Sequence, residues 1–324
     1  MIFLFSLAFA NPFAPKTMKG DWAVRPIDRS LALPKGITEL TVALSSKLSF
    51  GYRDAAGDYY PYADSAWYYS QARLRYAHGL SKRITLTLDI PWVWSSLQTA
   101  DGDAIDTFAL GDVETRILFQ PWDTQSGMLA FTLALKSPSG VEWPASGRDG
   151  PGDIQGFLTG TGTTNLGAGF TAQWKAHPSC AMRISGGYTL KIPAVVGYVV
   201  EDGGFGNGIL DPGDELWASG TQLLALHERL TLSLHTKYSW RSSYQLGASG
   251  SGLWMENPQE LLAPTHFLDA GGGLAVEPHP LLSFRLYAAY QLLGSDTRTF
   301  ATLGLEEFSP QPGWTARLEG ALRW

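Results

Sequence analysis

Cysteine is almost absent: Cys180 is the single one in 324 residues. One thiol cannot close an intrachain disulfide or build a thiolate zinc cluster. Charge is scarce as well, at 17% Asp, Glu, Lys and Arg. No apolar run reaches the roughly 18 residues that a spanning helix needs, and long amphipathic stretches at 3.6 spacing are missing. Those two absences exclude a helical membrane protein and a helix bundle. Basic excess is lacking too, since 24 Lys and Arg stand against 30 Asp and Glu for a net charge of −6. A nucleic-acid partner, which asks for a basic face, is therefore not expected. Catalytic signatures are also absent. There is no G-x-S-x-G, no phosphate loop and no dinucleotide fingerprint, and His227-Glu228 continues as Arg229-Leu230-Thr231 instead of completing H-E-x-x-H. The chain reads as a non-enzyme with no cofactor.

What the chain has is glycine (36 residues), aromatic residues (12%) and alternation. From Thr38 to Tyr52 the even positions Leu40, Val42, Leu44, Leu48, Phe50 and Tyr52 are apolar, and polar residues stand between them. Side chains of a strand point alternately to its two faces, so this is a strand with one apolar face. The pattern recurs over Ala66–His78, Ile84–Trp94, Asp112–Gln120, Met128–Lys136, Asn165–Ala176, Met182–Ile192, Leu216–His227, Leu230–Trp240, His266–Glu277, Leu281–Leu293 and Gly313–Trp324. Only in Leu216–His227 is the facing ambiguous, because Leu223-Leu224 breaks the alternation. Short turns near Ser81, Asp123–Gly127, Pro178, Glu228 and Pro278 alternate with long Gly/Asp/Pro-rich loops.

An even number of strands, short turns at one end and long loops at the other predict an all-β fold: a transmembrane antiparallel β-barrel of about 12 strands in the outer membrane of a Gram-negative bacterium. The apolar faces carry essentially no Asp, Glu, Lys or Arg, as required where a mid-bilayer charge costs about 2–4 kcal/mol. Aromatic residues gather toward strand ends, with Tyr52, Trp92, Trp94, Tyr188, Trp240 and Trp314 on the long-loop side and Phe119, Trp174 and Trp324 on the other. That distribution matches interfacial girdles. The last strand, with Trp314, Ala316, Leu318, Gly320, Leu322 and Trp324 in alternation, resembles the C-terminal assembly signal of outer-membrane barrels. The barrel assembly machinery, outer-membrane lipids and lipopolysaccharide are the partners this implies.

The remaining parity lines the interior. There Lys47, Arg73, Arg75, Arg83, Arg116, Lys136, Lys175, Arg183, Lys191, Lys237, Arg241, Arg285, Arg317 and Arg323 face Glu39, Asp89, Asp112, Glu114, Asp269, Glu277 and Glu319. A basic lumen raises the local concentration of anions; the same charges also serve as cross-strand ladders that lock register. Counting through the turns places Arg73 opposite Asp89 and Asp112 opposite Lys136. The long loops, by contrast, are acidic. One of them, Glu201 to Glu215, resembles a degenerate calcium loop in which Asp202, Asn207, Asp211 and Asp214 are the candidate ligands; an acidic, solvated loop is the alternative. Tyr59, Tyr60, Tyr62, Trp143, Phe205, Trp254 and Met255 offer an apolar patch among the loops.

Ile2–Ala10 ends in Ala8-Phe9-Ala10, the small-x-small pattern of a signal-peptidase site, although no Lys or Arg precedes it. The expected organisation is a signal peptide over 1–10, an N-terminal segment over 11–35 that forms a lumenal plug or a periplasmic arm, and a barrel over 36–324.

The order of motifs resembles a known group. Tyr76 to Pro91 around Gly79-Leu80-Ser81-Lys82, then Leu110-Gly111-Asp112-Val113, Leu135 to Gly140, and Gly160-Thr161-Gly162 with Leu166 to Gly169 look like the successive hairpin motifs of the outer-membrane barrel family linked to the meta-cleavage pathway of phenol degradation. The resemblance implies an outer-membrane barrel that takes up aromatic or other hydrophobic compounds. Passive transport of a small-molecule solute is the expected function. The alternative is a surface-exposed binding or structural barrel whose acidic loops carry the role.

Overall fold

The computed structural model describes residues 26–53, 59–61, 66–98, 104–124, 126–139, 163–199, 205–211, 213–247, 249–251, 254–256, 259–262, 264–294 and 313–324. Within them, twelve strands form one antiparallel barrel: β1 (Thr38–Ser49), β2 (Ala66–Ser81), β3 (Ile84–Gln98), β4 (Glu114–Asp123), β5 (Gly127–Lys136), β6 (Thr164–His177), β7 (Cys180–Ile192), β8 (Glu215–His227), β9 (Leu230–Arg241), β10 (Thr265–His279), β11 (Leu282–Gly294) and β12 (Gly313–Arg323). Each pairs with its sequence neighbours. Closure comes from β12 against β1, with register Glu39↔Arg323 through Ser49↔Gly313. A barrel that spans lipid must close, since an open edge would strand backbone donors and acceptors in hydrocarbon.

The alternation predicts the facing correctly. Leu44 is 54% exposed and Leu133 is 64% exposed on the outside, whereas Thr41, Asp89 and Gln173 are buried within the bore. The outward positions of β9, for example, are Leu230, Leu232, Leu234, Thr236, Tyr238 and Trp240. The ambiguity in β8 resolves with Leu216 and Leu226 outward and Leu223 at the wall of a lumenal cavity. Aromatic rings cover glycines on both faces. Trp217 lies over Gly187 and Gly169, and Phe170 lies over Gly186, filling space that a strand glycine leaves open.

Several expectations need correction. Thr38–Tyr52 is not one strand: β1 stops at Ser49, and Gly51–Arg53 pairs instead with Tyr59–Pro61. A stretch assigned to a loop, Ala104–Leu110, is a strand that continues the ladder on the upper part of β3, from Trp92↔Leu110 to Gln98↔Ala104. Thus β3 faces a partner in two pieces, interrupted at Gly111-Asp112-Val113. The interruption is stitched by the segment that follows β5. Ser137 N donates to Val113 O at 2.9 Å, Ser139 Oγ donates to Gly111 O at 3.2 Å, and Val113 N donates to Ser139 Oγ at 2.7 Å. Three stretches of the family-like motifs, ending at Pro91, Gly111–Val113 and Lys136–Ser139, therefore meet at one point of the wall. The loops after β7 and β9 also hold structure, a four-stranded sheet of Ala194–Val199, Phe205–Asp211, Tyr244–Gly247 and Gln259–Leu262.

Candidate functional site

The site is the lumen, and its floor is the chain that precedes β1. Pro26–Asp28 forms one 3-10 turn, and Ile27 is fully buried. From there the chain bonds to strands around the bore. Gln173 Nε2 on β6 donates to Ile27 O at 3.1 Å, and Lys175 Nζ pairs with Asp28 at 2.6 Å. Ser30 Oγ and Ala32 N both donate to Gln120 Oε1 on β4, at 2.7 and 2.6 Å, and Leu33 N donates to Thr85 Oγ1 on β3 at 2.8 Å. Arg29 reaches the other way and pairs with Glu277 on β10. Since β4 and β10 stand six positions apart in a ring of twelve, these bonds run across the bore.

Local sequence explains the fit. Gln120-Pro121 sits in a bulge, where Phe119↔Phe131 shifts to Trp122↔Leu129. Such a bulge re-aims a side chain, and Gln120 is 1% exposed. Gly79 on β2 has no side chain, and a Cβ there would overlap the Pro34 and Leu33 carbonyls. That close approach lets Gly36 N donate to Gly79 O at 2.8 Å and Gly79 N to Ile37 O at 2.9 Å. Leu33, Ile37 and Ala77 make a small apolar cluster beside this contact. Gln120, Gln173 and Thr85 carry no role in the sequence reading, and Gly79 enters it only as part of the turn motif. Their visible signal is a polar or minimal residue on the lumenal parity close to a short turn.

The lumenal charges assemble into networks. Asp89 accepts from Arg75 at 2.9 Å and lies 3.5 Å from Arg116, which also binds both oxygens of Glu114 at 2.6 and 2.8 Å. Arg323 bonds Glu39 at 2.6 Å and lies 3.8 Å from Glu277. Glu319 is shared by Arg317 and Arg285, the latter at 3.4 Å, and Lys237 stands 4.0 Å from Glu215. Both predicted ladder pairs need revision. Arg73 stands opposite Pro91, and Arg75 is the residue opposite Asp89, because a two-residue turn and a bulge at Leu80 replace the longer turn assumed. Lys136 stands opposite Glu114, although its Nζ still reaches Asp112 at 3.2 Å. Arg83 occupies the turn, exposed, rather than the lumen wall. Arg73 and Arg183 hydrogen-bond neutral amides, Gln71 at 3.0 Å and Gln173 at 2.6 and 3.0 Å.

On the β7–β12 side the described residues enclose two adjoining cavities. A cavity of about 380 Å³ is bounded by Arg29, Leu31 and Leu33 from the N-terminal segment and by Arg183, Leu223, Arg285 and Arg323 from the wall. A second, about 320 Å³, shares Thr221, Ser233, Ala275 and Arg285 with it and adds His235, Tyr287, Arg317 and Glu319. The His235 and Tyr287 rings meet edge to face at 5.8 Å.

Three of the calcium candidates fall within the described residues. Asn207 lies in a strand opposite Gly197, Asp211 Oδ1 accepts from Gly213 N at 2.9 Å, and Asp214 accepts from Lys191 N at 2.9 Å and from the Tyr188 hydroxyl. Asp202 lies outside the described residues, as do residues 1–25 with the signal-peptide reading, and Tyr62 and Trp143 of the loop patch. The C-terminal series behaves as one strand face: Trp314, Leu318 and Leu322 are outward, Gly320 lies beneath Phe284, and Trp324 N donates to Thr38 O at 3.0 Å.

No family model matches the chain, and no curated relative matches it in sequence. Solved structures do. An outer-membrane channel from Pseudomonas putida F1 overlays with a TM-score of 0.67 at 13% identity, over 90% of this chain and 97% of that one. A deletion mutant of the TodX monoaromatic hydrocarbon channel gives 0.47 at 12% identity over 90% of each chain, and the NanC porin gives 0.45 at 9% over 87% of this chain and 98% of that one. The first of these establishes the barrel fold.

Proposed function

We propose that this chain is an outer-membrane channel for small solutes, in which residues 26–35 narrow the bore and solute passes along the basic β7–β12 side. The observation that carries this is the asymmetry of the lumen: the N-terminal segment is bonded mainly to β2, β3, β4 and β6 and reaches β10 only through Arg29 and Glu277, while among the described residues two adjoining cavities lie on that far side. A wall that is apolar outside and charged inside suits a water-filled path through lipid. Guanidinium groups at Arg183, Arg285, Arg317 and Arg323 focus a positive potential on that path and favour anions. The likeness to the Pseudomonas putida channel supports an outer-membrane setting, and the family resemblance adds aromatic or hydrophobic compounds as the solute class.

The test is conductance and reversal potential of the refolded chain in planar bilayers under a salt gradient, with and without residues 11–35. Discrete, anion-preferring steps that grow after truncation are expected. Silence from both forms, with barrel folding verified by heat-modifiable migration, overturns the channel reading.

A further inference from the structure

The β7–β12 side of the lumen contains more than passive wall. Arg183 projects from β7 into a site where its Nε and Nη2 are occupied by one neutral acceptor, Gln173 Oε1. A guanidinium has five N–H donors, so most of its donating capacity is left for something else. No carboxylate lies within ion-pair distance of it among the described residues, whereas its neighbours Arg323, Arg285 and Arg317 all have one. Arg183, Arg285 and Arg323 line the same cavity, and Glu39 is the one carboxylate on that lining. With Arg29, four guanidiniums line the cavity against Glu39 on it and Glu277 and Glu319 paired behind it, so Arg183 is left as the positive excess, and an anion seated beside it relieves that.

Apolar surface lies beside this charge. Leu31 and Leu33 from the N-terminal segment and Leu223 from β8 bound the same space. The volume, about 380 Å³, falls within the range of small-molecule pockets, roughly 300–1,000 Å³. A pocket with a few convergent polar groups on an apolar lining is the usual composition of a ligand site.

We propose that Arg183 and Arg285 form a binding site for a small organic carboxylate, its head on the guanidiniums and its apolar body against Leu31, Leu33 and Leu223. The site makes the channel selective in what it carries, and it rests on the channel reading above. Because the segment supplies two of the three leucines, the occupant touches both the wall and the constriction.

Isothermal titration of the refolded full chain with sodium benzoate tests this, with benzyl alcohol and inorganic phosphate titrated alongside. Benzoate is expected to bind with a Kd of about 1 mM or tighter. Arg183→Gln and Arg285→Gln should each weaken it by about tenfold or more, as losing a charge-assisted contact does. Arg83→Gln, in the exposed turn, should leave the Kd unchanged. If one lumenal variant fails to fold, the other carries the test alone. Absence of benzoate binding to the parent chain, or an unchanged Kd in a folded Arg183→Gln or Arg285→Gln variant, overturns the proposal. Equal binding of benzyl alcohol overturns the role of the charge, and equal binding of phosphate overturns the role of the apolar lining. Conductance separates the two readings. Anion-preferring steps without benzoate binding sink the site and spare the channel, while benzoate binding to a silent barrel leaves a site without a channel.

Discussion

The two halves of the lumen are built differently from the same kind of strand. Along β2 to β6 the inward residues near the short turns include the small or amide-bearing Ala77, Gly79, Gln120, Ala130 and Gln173 together with Lys175, and the N-terminal segment is bonded onto several of them. Along β7 to β12 the inward residues at similar depth include Arg183, Leu223, Glu277, Arg285 and Arg323, and beside them, among the described residues, lies a cavity. Backbone and side-chain hydrogen bonds fix position at short range, so the first half immobilises. Guanidiniums act over several ångströms in a partly dehydrated bore, so the second half attracts. On the proposed channel reading, one wall holds most of the constriction, with Arg29–Glu277 as its tie to the other, and that other wall conditions what passes.

The difference can be broken most severely at Gly79. Replacing Gly79 with Val places side-chain atoms where the Pro34 and Leu33 carbonyls lie, so the segment must leave the wall. Single-channel conductance is expected to rise severalfold, and Arg29 should become accessible to trypsin. Next comes Glu277→Gln, which takes the carboxylate from two buried guanidiniums, Arg29 and Arg323. Breaking a buried pair costs about 3 kcal/mol or more, read as a lowered unfolding midpoint in urea together with more frequent open events. Gln120→Leu is smaller, since it removes the acceptor of Ser30 Oγ and Ala32 N, worth about 1–3 kcal/mol of attachment. Faster amide exchange at Ala32, with the barrel strands unchanged, is the expected readout.

On the β7–β12 side, Arg317→Gln should move the reversal potential toward weaker anion preference while shifting stability by no more than about 0.5 kcal/mol. The smallest effect concerns pH. Asp211 lies in the loop sheet, and burial lifts its carboxyl above the ordinary carboxylate range; the Gly213 N–H opposes this, Asp214 adds to it, and Lys191 opposes it. A carboxyl with a raised folded pKa binds its proton more readily folded than unfolded. The loop sheet should therefore be more stable at the acid end and lose stability as pH rises through that range. Asp211→Asn should flatten this dependence in the amide exchange of Ile209 and Leu210.

Most of the barrel was legible from alternation, because inside and outside differ at every second residue and lipid tolerates no charge. Strand number, facing and the polarity of the lumen all follow from that. Register was less legible. A bulge at Leu80 moved the partner of Asp89 from Arg73 to Arg75, and Ala104–Leu110 looked like loop because its pairing depends on β3 rather than on its own pattern. Asp112 and Lys136 were correctly brought together by counting, but through side-chain reach across the wall interruption rather than by facing each other. The N-terminal segment was open between a plug and a free arm because prolines and basic residues suit either setting. Its attachment comes from Gln120, Thr85 and Gln173, which are scattered over three strands.

The sequence alone determined a closed barrel with an apolar exterior, a charged interior and an acidic set of loops, since period two, turn chemistry and depth-dependent charge cost are local properties of a strand. Only the tertiary structure decided to which side of the bore residues 26–35 are mainly bonded and where, among the described residues, the cavities lie. That choice depends on closure, which brings Glu277, Gln120 and Gln173 within reach of residues 27–32 across nearly 250 positions of chain. Side chains that far apart in sequence share no local pattern, and their meeting follows from strand order and register around the ring.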